Sequence, residues 1–336
     1  MRRMPRTLTA VAALAVAGLA LAGCTAGSST DDASTGTLGT VDTMFGEVTV
    51  PEPAGDLTVV ALGWSDAEMA LSLGVVPVGV YDWQSFGADN KAVGPWATDL
   101  FGDVTPEIIE DSGDTVNYEQ IQALEPDLIL NTRSAGDEKQ YERLSEIAPT
   151  VFAPKGTAAF ATPWDVQLEQ VAAALGKTQE GDALVSATKQ SINEAADLHQ
   201  EFAGLTTVAA TKFGDAYGAY LEGDGRFDIL ADLGFQQNPA VLDLEASGFY
   251  AAVSAEQVSA FDADVAVLLP IGFSAADTTA DPLLASLPVV QDGRAIVLDP
   301  ADELTQAYSA ASVLSIPVVL EQLVPKLAEA AAKVAK

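Results

Sequence analysis

The chain has 336 residues, 48 of them acidic against 16 basic, giving a formal net charge of −32 with a single histidine and a single cysteine. A surface this acidic repels nucleic acid and anionic headgroups, which argues against both as partners. One cysteine allows no intrachain disulfide, and one histidine rules out a metal site built from several histidines and cysteines.

The chain opens with a basic head, Arg2, Arg3 and Arg6, followed by an uncharged apolar run from Leu8 to Gly23 that ends at Cys24. The run is shorter than the roughly 20 residues a spanning helix needs, and it has the layout of a secretory signal. Leu21-Ala22-Gly23-Cys24 resembles a bacterial lipobox, which implies a signal peptide over 1–23, cleavage before Cys24 and lipidation of its thiol. Two or more acyl chains would then anchor the protein stably to the cell membrane, outside the cytoplasm. Cleavage there removes three arginines and no acid, so the remainder would carry −35 in place of −32. The Gly-, Ser- and Thr-rich stretch that follows reads as a flexible tether over 24–45.

From residue 46 onward, apolar runs alternate with helical periodicity. Strands are expected at 57–62, 75–80, 127–130 and 150–152, and again at 206–211, 264–269 and 295–298. That alternation implies α/β layers with mainly parallel sheets. Between the two groups, 163–203 is mostly helical, with Gly176 and Gly181 as the only breaks; some twenty helical residues would span about 30 Å and bridge two lobes. The domain reading is therefore an N-terminal α/β lobe over 46–162, a bridging helical segment over 163–203 and a C-terminal α/β lobe over 204–336. The Ala- and Leu-rich tail is helical, with interruptions at Pro317 and Pro325.

Catalytic constellations are missing. His199 sits late in the bridging segment as a solvated helix position. Ser65 follows a strand as a hydrolase serine does, but the Gly-x-Ser-x-Gly pattern fails at its last position, and Ser65 with Glu68 reads as a capping box. Gly223-Asp224-Gly225 lacks the third glycine of a dinucleotide fingerprint and reads as a turn. No catalytic residue, metal ligand set or cofactor of the protein's own is expected.

Two segments share one design. Asn117 and Gln120 bracket the start of a helix that runs into the strand at 127, and Ser254 and Gln257 do the same ahead of the strand at 264. Glu119 and Glu256 thus hold the same place, the second residue of a helix, one in each half. An acid in a first turn gains about 0.3–1 kcal/mol from the helix dipole, which would account for both equally well.

The run Glu119-Gln120-Ile121-Gln122-Ala123-Leu124-Glu125-Pro126-Asp127-Leu128-Ile129, followed by Tyr141 to Val151, resembles ABC-transporter substrate-binding proteins for ferric siderophores, haem and vitamin B12. Ala172 to Lys177, Ile229 to Phe235 and Leu287 to Arg294 agree in order and spacing, so the resemblance covers roughly Val48 to the C-terminus. It implies two Rossmann-like α/β lobes joined by a single long helix, the class III periplasmic-binding-protein fold, with a shallow cleft between them. It also implies a monomer that delivers its cargo to an ABC permease dimer, docking through one glutamate at the tip of each lobe. On matching positions these are Glu119 and Glu256.

Ligands of open α/β sheets sit beyond the carboxyl ends of the strands. Those ends give Trp64, Tyr81, Trp83, Arg133 and Lys155 in the first half and Lys212, Phe213, Tyr217 and Phe273 in the second, with Tyr250 beside Phe249 on another loop. Aromatic faces suit large, partly apolar ligands, and an arginine fork suits the oxygens around a ferric ion. Only Arg133, Lys155 and Lys212 are placed to offset ligand charge. The expected cargo is therefore a neutral or cationic ferric hydroxamate siderophore and not a catecholate, the siderophore supplying all the iron ligands. Haem bound through Tyr81 or Tyr217, cobalamin, favoured by Trp64 and Trp83 alone, and an exported enzyme on a similar fold are the alternatives.

Overall fold

The computed structural model describes residues 36–111 and 115–334. The signal segment, Cys24 and the first part of the tether lie outside the described residues.

The described chain opens with a β-hairpin where a flexible tether was expected to continue. Strand β1 (Thr37–Thr43) pairs antiparallel with β2 (Gly46–Pro51). Threonine and valine alternate here, so Val41, Val48 and Val50 turn inward and are buried. The hairpin lies against the helix Trp164–Ala174, where a Cβ on Gly39 would stand 2.1 Å from the Ala173 carbonyl oxygen. Of the tether expected over 24–45, residues 37–43 are a strand of the lobe, set there by their β-branched alternation.

The N-terminal lobe is a five-stranded parallel sheet. Its strands β3 (Val59–Ala61), β4 (Gly79–Tyr81), β5 (Glu107–Ile109), β6 (Leu128–Asn131) and β7 (Thr150–Phe152) lie in the order β5-β4-β3-β6-β7. Every residue of β3, β6 and β7 is buried, as expected for parallel strands covered on both faces.

The C-terminal lobe has a mixed sheet. It comprises β8 (Thr206–Phe213), β9 (Ala216–Tyr220), β10 (Gln236–Gln237), β11 (Ala246–Ser247), β12 (Tyr250–Val253), β13 (Val265–Ile271) and β14 (Ala295–Val297). The order is β11-β12-β9-β8-β13-β14, with β10 beside β8. Strands β8, β10, β13 and β14 are parallel, but the pairings β8–β9, β9–β12 and β12–β11 are antiparallel and replace the expected parallel continuation. Strand β9, built of alanine, glycine and tyrosine, carries no branched aliphatic run to announce it.

One helix, Thr178–Leu198, bridges the lobes over 21 residues. Gly181 does not break it; the glycine is buried in its first turn, where a Cβ would meet that of Ala172 at 2.4 Å. His199 lies just past the helix end and not within it, half-buried, stacked on Phe202 with ring centroids 5.0 Å apart and bonded to Glu201. The tail forms two helices, Glu303–Ala310 and Ile316–Ala331. Pro317 opens the second, where a missing N–H costs nothing, and Pro325 is carried inside it, so neither interrupts the helix.

A single hydrophobic core runs through both lobes. It joins Val59, Leu128 and Val151 to Leu168 and Val171, continues through Val185 and Ile192 of the bridging helix, and reaches Ile229, Val265, Val267 and Leu323. Two smaller clusters fill the outer layer of the N-terminal lobe and one that of the C-terminal lobe. Among the described residues, no helix is long and apolar enough to cross a membrane.

Candidate functional site

Beyond the carboxyl ends of β3, β4 and β6 lies a cavity of about 390 Å³, within the roughly 300–1,000 Å³ typical of small-molecule pockets. Trp64, Tyr81, Trp83 and Phe160 form its aromatic wall, and Asn131, Arg133, Ser134, Gln140 and Asp111 supply polar groups.

The loops that carry these residues are tied by Asp66. Its fully buried carboxylate accepts hydrogen bonds from Gly63 N at 3.0 Å, Thr132 N at 2.9 Å, the Thr132 hydroxyl and Gln167 Nε2 at 2.7 Å. Burial raises its pKa even against these donors. Trp64 N donates to the Arg133 carbonyl at 2.9 Å, so the two loops leave the sheet as one unit. The capping box expected of Ser65 and Glu68 is absent. Ser65 takes a left-handed backbone, with φ 63°, and gives its hydroxyl to the Ala310 carbonyl at 2.9 Å. Glu68 accepts from Trp96 Nε1 at 2.8 Å and from the Ser312 hydroxyl, and burial raises its pKa.

The aromatic rings form a column. Trp64 stacks on Trp83 at 4.8 Å and on Phe160 at 4.4 Å between ring centroids. Phe249 of the C-terminal lobe meets Trp64 and Phe160 edge-on, at 5.9 and 6.1 Å, and stacks on Tyr220 at 6.3 Å. These offset and edge-on geometries are the favourable ones for π systems.

Arg133 is 1 % exposed and sits in the floor of the cavity. Its Nη1 donates to the Ala310 carbonyl at 3.0 Å and its Nε to Phe160 O at 3.3 Å. Its Nη2 stands 3.7 Å from Asp224 Oδ2 and has no hydrogen-bond partner. Asp224 is fully buried and gripped by Arg226, with Nε at 2.7 Å and Nη2 at 2.5 Å. Burial works against the Asp224 carboxylate, but the charges of Arg226 and Arg133 hold its pKa below the usual value. Burial in turn pulls the Arg133 pKa down, with Asp224 offsetting part of the loss. Two buried guanidinium groups therefore share one carboxylate, and the unpartnered donor belongs to the one that lines the cavity.

The expected site residues separate into groups. Trp64, Tyr81, Trp83 and Arg133 come together in the cavity. Lys155 is exposed on the loop after β7 and is not among its lining residues. Lys212, Tyr217 and Phe273 cluster at the end of the second sheet around Asp281. Lys212 pairs with Asp281 at 2.9 Å, the buried Tyr217 hydroxyl donates to the same carboxylate at 2.9 Å, and the lysine lies over the Phe273 ring. Lys212 is thus neutralised within its own lobe. Phe213 is exposed at the turn between β8 and β9, and Tyr250 opens β12 opposite Tyr220. Phe160 and Arg226 complete the constellation without having been picked from the sequence. The exit of β7 gave Lys155, and Phe160 lies well beyond Phe152, the end of that strand, where the rule that singled out Arg133 does not reach.

Glu119 and Glu256 are both exposed at the second residue of their helical turns. Asn117 Oδ1 accepts from Gln120 N at 3.1 Å, while Gln257 Oε1 accepts from the Ser254 hydroxyl at 2.8 Å. The second turn, Ala255–Phe261, is a 3₁₀ helix. Among the described residues, no group of three or more histidine, cysteine, aspartate or glutamate side chains is placed to hold a metal ion.

Comparison with known proteins adds three relatives. A family model described as a periplasmic binding protein matches residues 59–301. The chain is 28% identical over 228 residues to the probable siderophore-binding lipoprotein YfiY of Bacillus subtilis (strain 168), an alignment covering 63% of each chain. It is similar to the crystal structure of a periplasmic solute binding protein from Mycobacterium smegmatis str. MC2 155, with 29% identity and a TM-score of 0.75 over 89% of this chain and 100% of that one. It is also similar to the iron uptake ABC transporter substrate-binding protein PiaA from Streptococcus pneumoniae TIGR4, with 25% identity and a TM-score of 0.71 over 88% and 99%. These relatives are binding proteins and not enzymes.

Proposed function

The chain belongs to the periplasmic binding protein family, and from that premise we propose that it is the lipid-anchored substrate-binding component of an iron-uptake ABC importer, carrying a ferric hydroxamate siderophore outside the cytoplasm. The observation that carries this reading is the unpartnered Nη2 of buried Arg133 in the floor of an aromatic cavity. That nitrogen makes no hydrogen bond and only a 3.7 Å ion pair with Asp224, so a ligand oxygen reaching it would add a charge-assisted hydrogen bond. The oxygens around a hydroxamate-bound ferric ion are such acceptors, and the Trp64, Trp83 and Phe160 faces suit the aliphatic arms of the same chelate. The siderophore fills the iron coordination sphere, so the chain need only read its outer surface.

The charge inventory favours hydroxamate over catecholate. A catecholate chelate brings several negative charges, and the cavity offers one guanidinium already facing Asp224. Haem is disfavoured by Tyr81. Burial first, and the nearby Asp111 carboxylate second, raise its pKa, which opposes the phenolate a ferric ion would need. Tyr217, the other candidate, is buried and bonded to Asp281.

Transport would place Glu119 and Glu256 against a permease dimer, where exposed charges steer and register a partner more than they add affinity. The description of the Bacillus relative as a lipoprotein supports lipidation at Cys24. Tryptophan-fluorescence titration with a ferric hydroxamate, a ferric catecholate, haem and cobalamin tests the ligand class, since Trp64 and Trp83 line the cavity. Saturable quenching by the ferric hydroxamate alone is the expected result. Saturation by haem or cobalamin alone would replace this reading with one of its alternatives.

A further inference from the structure

We propose that Arg226 is a positioning residue that sets the charge preference of the cavity without lining it. By holding both oxygens of Asp224 it leaves the charge of Arg133 to the ligand; the proposal rests on the hydroxamate reading for the ligand concerned. Asp224 and Arg226 are both buried, and neither is among the lining residues. Asp224 caps the helix Gly225–Asp232, accepting from Arg226 N at 2.9 Å. From that place the Arg226 side chain turns back on the same carboxylate, with Nε on Oδ1 at 2.7 Å and Nη2 on Oδ2 at 2.5 Å. Its Cζ lies 3.7 Å from the centroid of the Tyr220 ring, and the Tyr308 hydroxyl donates to its backbone carbonyl. A Cβ on Gly225 would meet that of Ala311 at 2.4 Å, so the turn is packed tightly against the residue after Ala310.

Both oxygens of Asp224 are therefore taken from within its own lobe. Arg133 Nη2 stops 3.7 Å from Oδ2, within reach of its charge and beyond a hydrogen bond. The other donors of Arg133 that are engaged go elsewhere, Nη1 to the Ala310 carbonyl and Nε to the Phe160 carbonyl. With two guanidinium groups against one carboxylate, the triad keeps a net positive charge. Without Arg226 it would become a neutral Asp224–Arg133 pair; with Asp224 neutralised it would hold two uncompensated cations. The two changes push in opposite directions on a charged ligand, although neither residue lines the cavity. Charges in a buried setting of low effective dielectric act over several ångströms. A buried ion pair adds little net stability against apolar packing; what this one supplies is a fixed charge balance behind Arg133.

The test titrates two probes by tryptophan quenching into the purified protein and its variants: a neutral ferric trihydroxamate, and the same chelate carrying a carboxylate on an outer arm. The quantity read is the ratio of the two affinities, in which any loss of folded protein cancels. Arg226→Gln should lower the relative affinity for the carboxylate form about fivefold, and Asp224→Asn should raise it about fivefold. The double variant, which keeps the net charge of the triad, should return to the ratio of the unaltered protein. Asp66 and Asp228 also act on Arg133 and are unchanged throughout. A merely structural pair would move both affinities together. Ratios that stay constant, or that shift the same way in both single variants, therefore overturn the proposal and leave the hydroxamate reading in place. Where a variant does not fold, the structure of the unaltered protein with the neutral chelate bound decides. Arg226 should still hold both Asp224 oxygens there while Arg133 reaches the ligand; an Arg133 hydrogen-bonded to Asp224 in that complex overturns the proposal. Failure of both chelates to bind the unaltered protein overturns the hydroxamate reading, and the role of Arg226 with it.

Discussion

Arg133, in the loop after β6, donates through Nη1 to the carbonyl of Ala310, the last residue of a C-terminal-lobe helix, at 3.0 Å. The same carbonyl accepts from Ser65 Oγ at 2.9 Å. The negative end of that helix is thus capped by two side chains of the opposite lobe, one of them cationic, a favourable arrangement at a helix C-terminus. Glu68 extends the contact by accepting from Ser312, and Leu314 packs against the first-lobe cluster that contains Ala61, Ala67 and Val80. Arg133 therefore joins the lobes through Nη1 while its side chain lines the cavity.

Arg133→Ala should weaken two properties together. Ligand affinity should fall by about 1.5–3 kcal/mol, the worth of a hydrogen bond to a charged group. Stability of the ligand-free protein should fall by about 2–3 kcal/mol, because the Ala310 carbonyl loses a donor and the side chain leaves a void, while Asp224 keeps Arg226. Urea unfolding and ligand titration of one preparation check both; a loss of affinity with unchanged stability would refute the interlobe role.

Glu119→Ala combined with Glu256→Ala should abolish uptake and leave ligand affinity intact. Both side chains are exposed and neither lines the cavity. Normal transport by the double variant would remove the docking assignment.

Asp228 should give the protein an unusual pH dependence. Burial, then Asp224 and other nearby acids, push its pKa up to about 7, although Gly223 N donates to it at 2.9 Å. A carboxyl raised above its ordinary value binds more protons folded than unfolded. Its contribution is therefore fully present below about pH 4 and is lost as pH rises through about 7. Asp228→Asn keeps the acceptor for Gly223 without the charge. Its urea midpoint should lie above that of the unaltered protein at about pH 8, and the difference should shrink towards about pH 5; a constant difference would exclude Asp228 as the source.

Gly39→Ala should destabilise the protein by about 1–3 kcal/mol, as overpacking does. The added methyl would meet the backbone oxygens of Ala173 and Ala174 at 2.1 and 2.7 Å, and backbone cannot yield as a side-chain tip can. An unchanged melting temperature would place the hairpin outside the cooperative fold.

The central strands were legible because their chemistry is extreme. Val59-Val60-Ala61, Leu128-Ile129-Leu130 and Val265-Ala266-Val267 are runs that only a two-sided interior accommodates. Strand β9 and the hairpin escaped notice because small residues and threonine also compose linkers, and only a partner strand distinguishes the two. Arg133 was found from its place at a strand exit. Its partners were not, because the Ala310 carbonyl lies 177 residues along the chain and no local pattern encodes so distant a contact. For the same reason Ser65 and Glu68 matched a helix start on spacing alone, while the folded chain uses both to reach the other lobe.

The continuous core through the bridging helix bears on how such a molecule could signal its state. Parting the lobes would expose apolar packing around Val185 and Ile192 and strip the partners from Ser65, Glu68 and Arg133 in the same stroke. A jaw that swings costs little only where its two halves meet through water. Here the halves are welded along the spine, so parting them would cost that buried packing together with the hydrogen bonds that cross it.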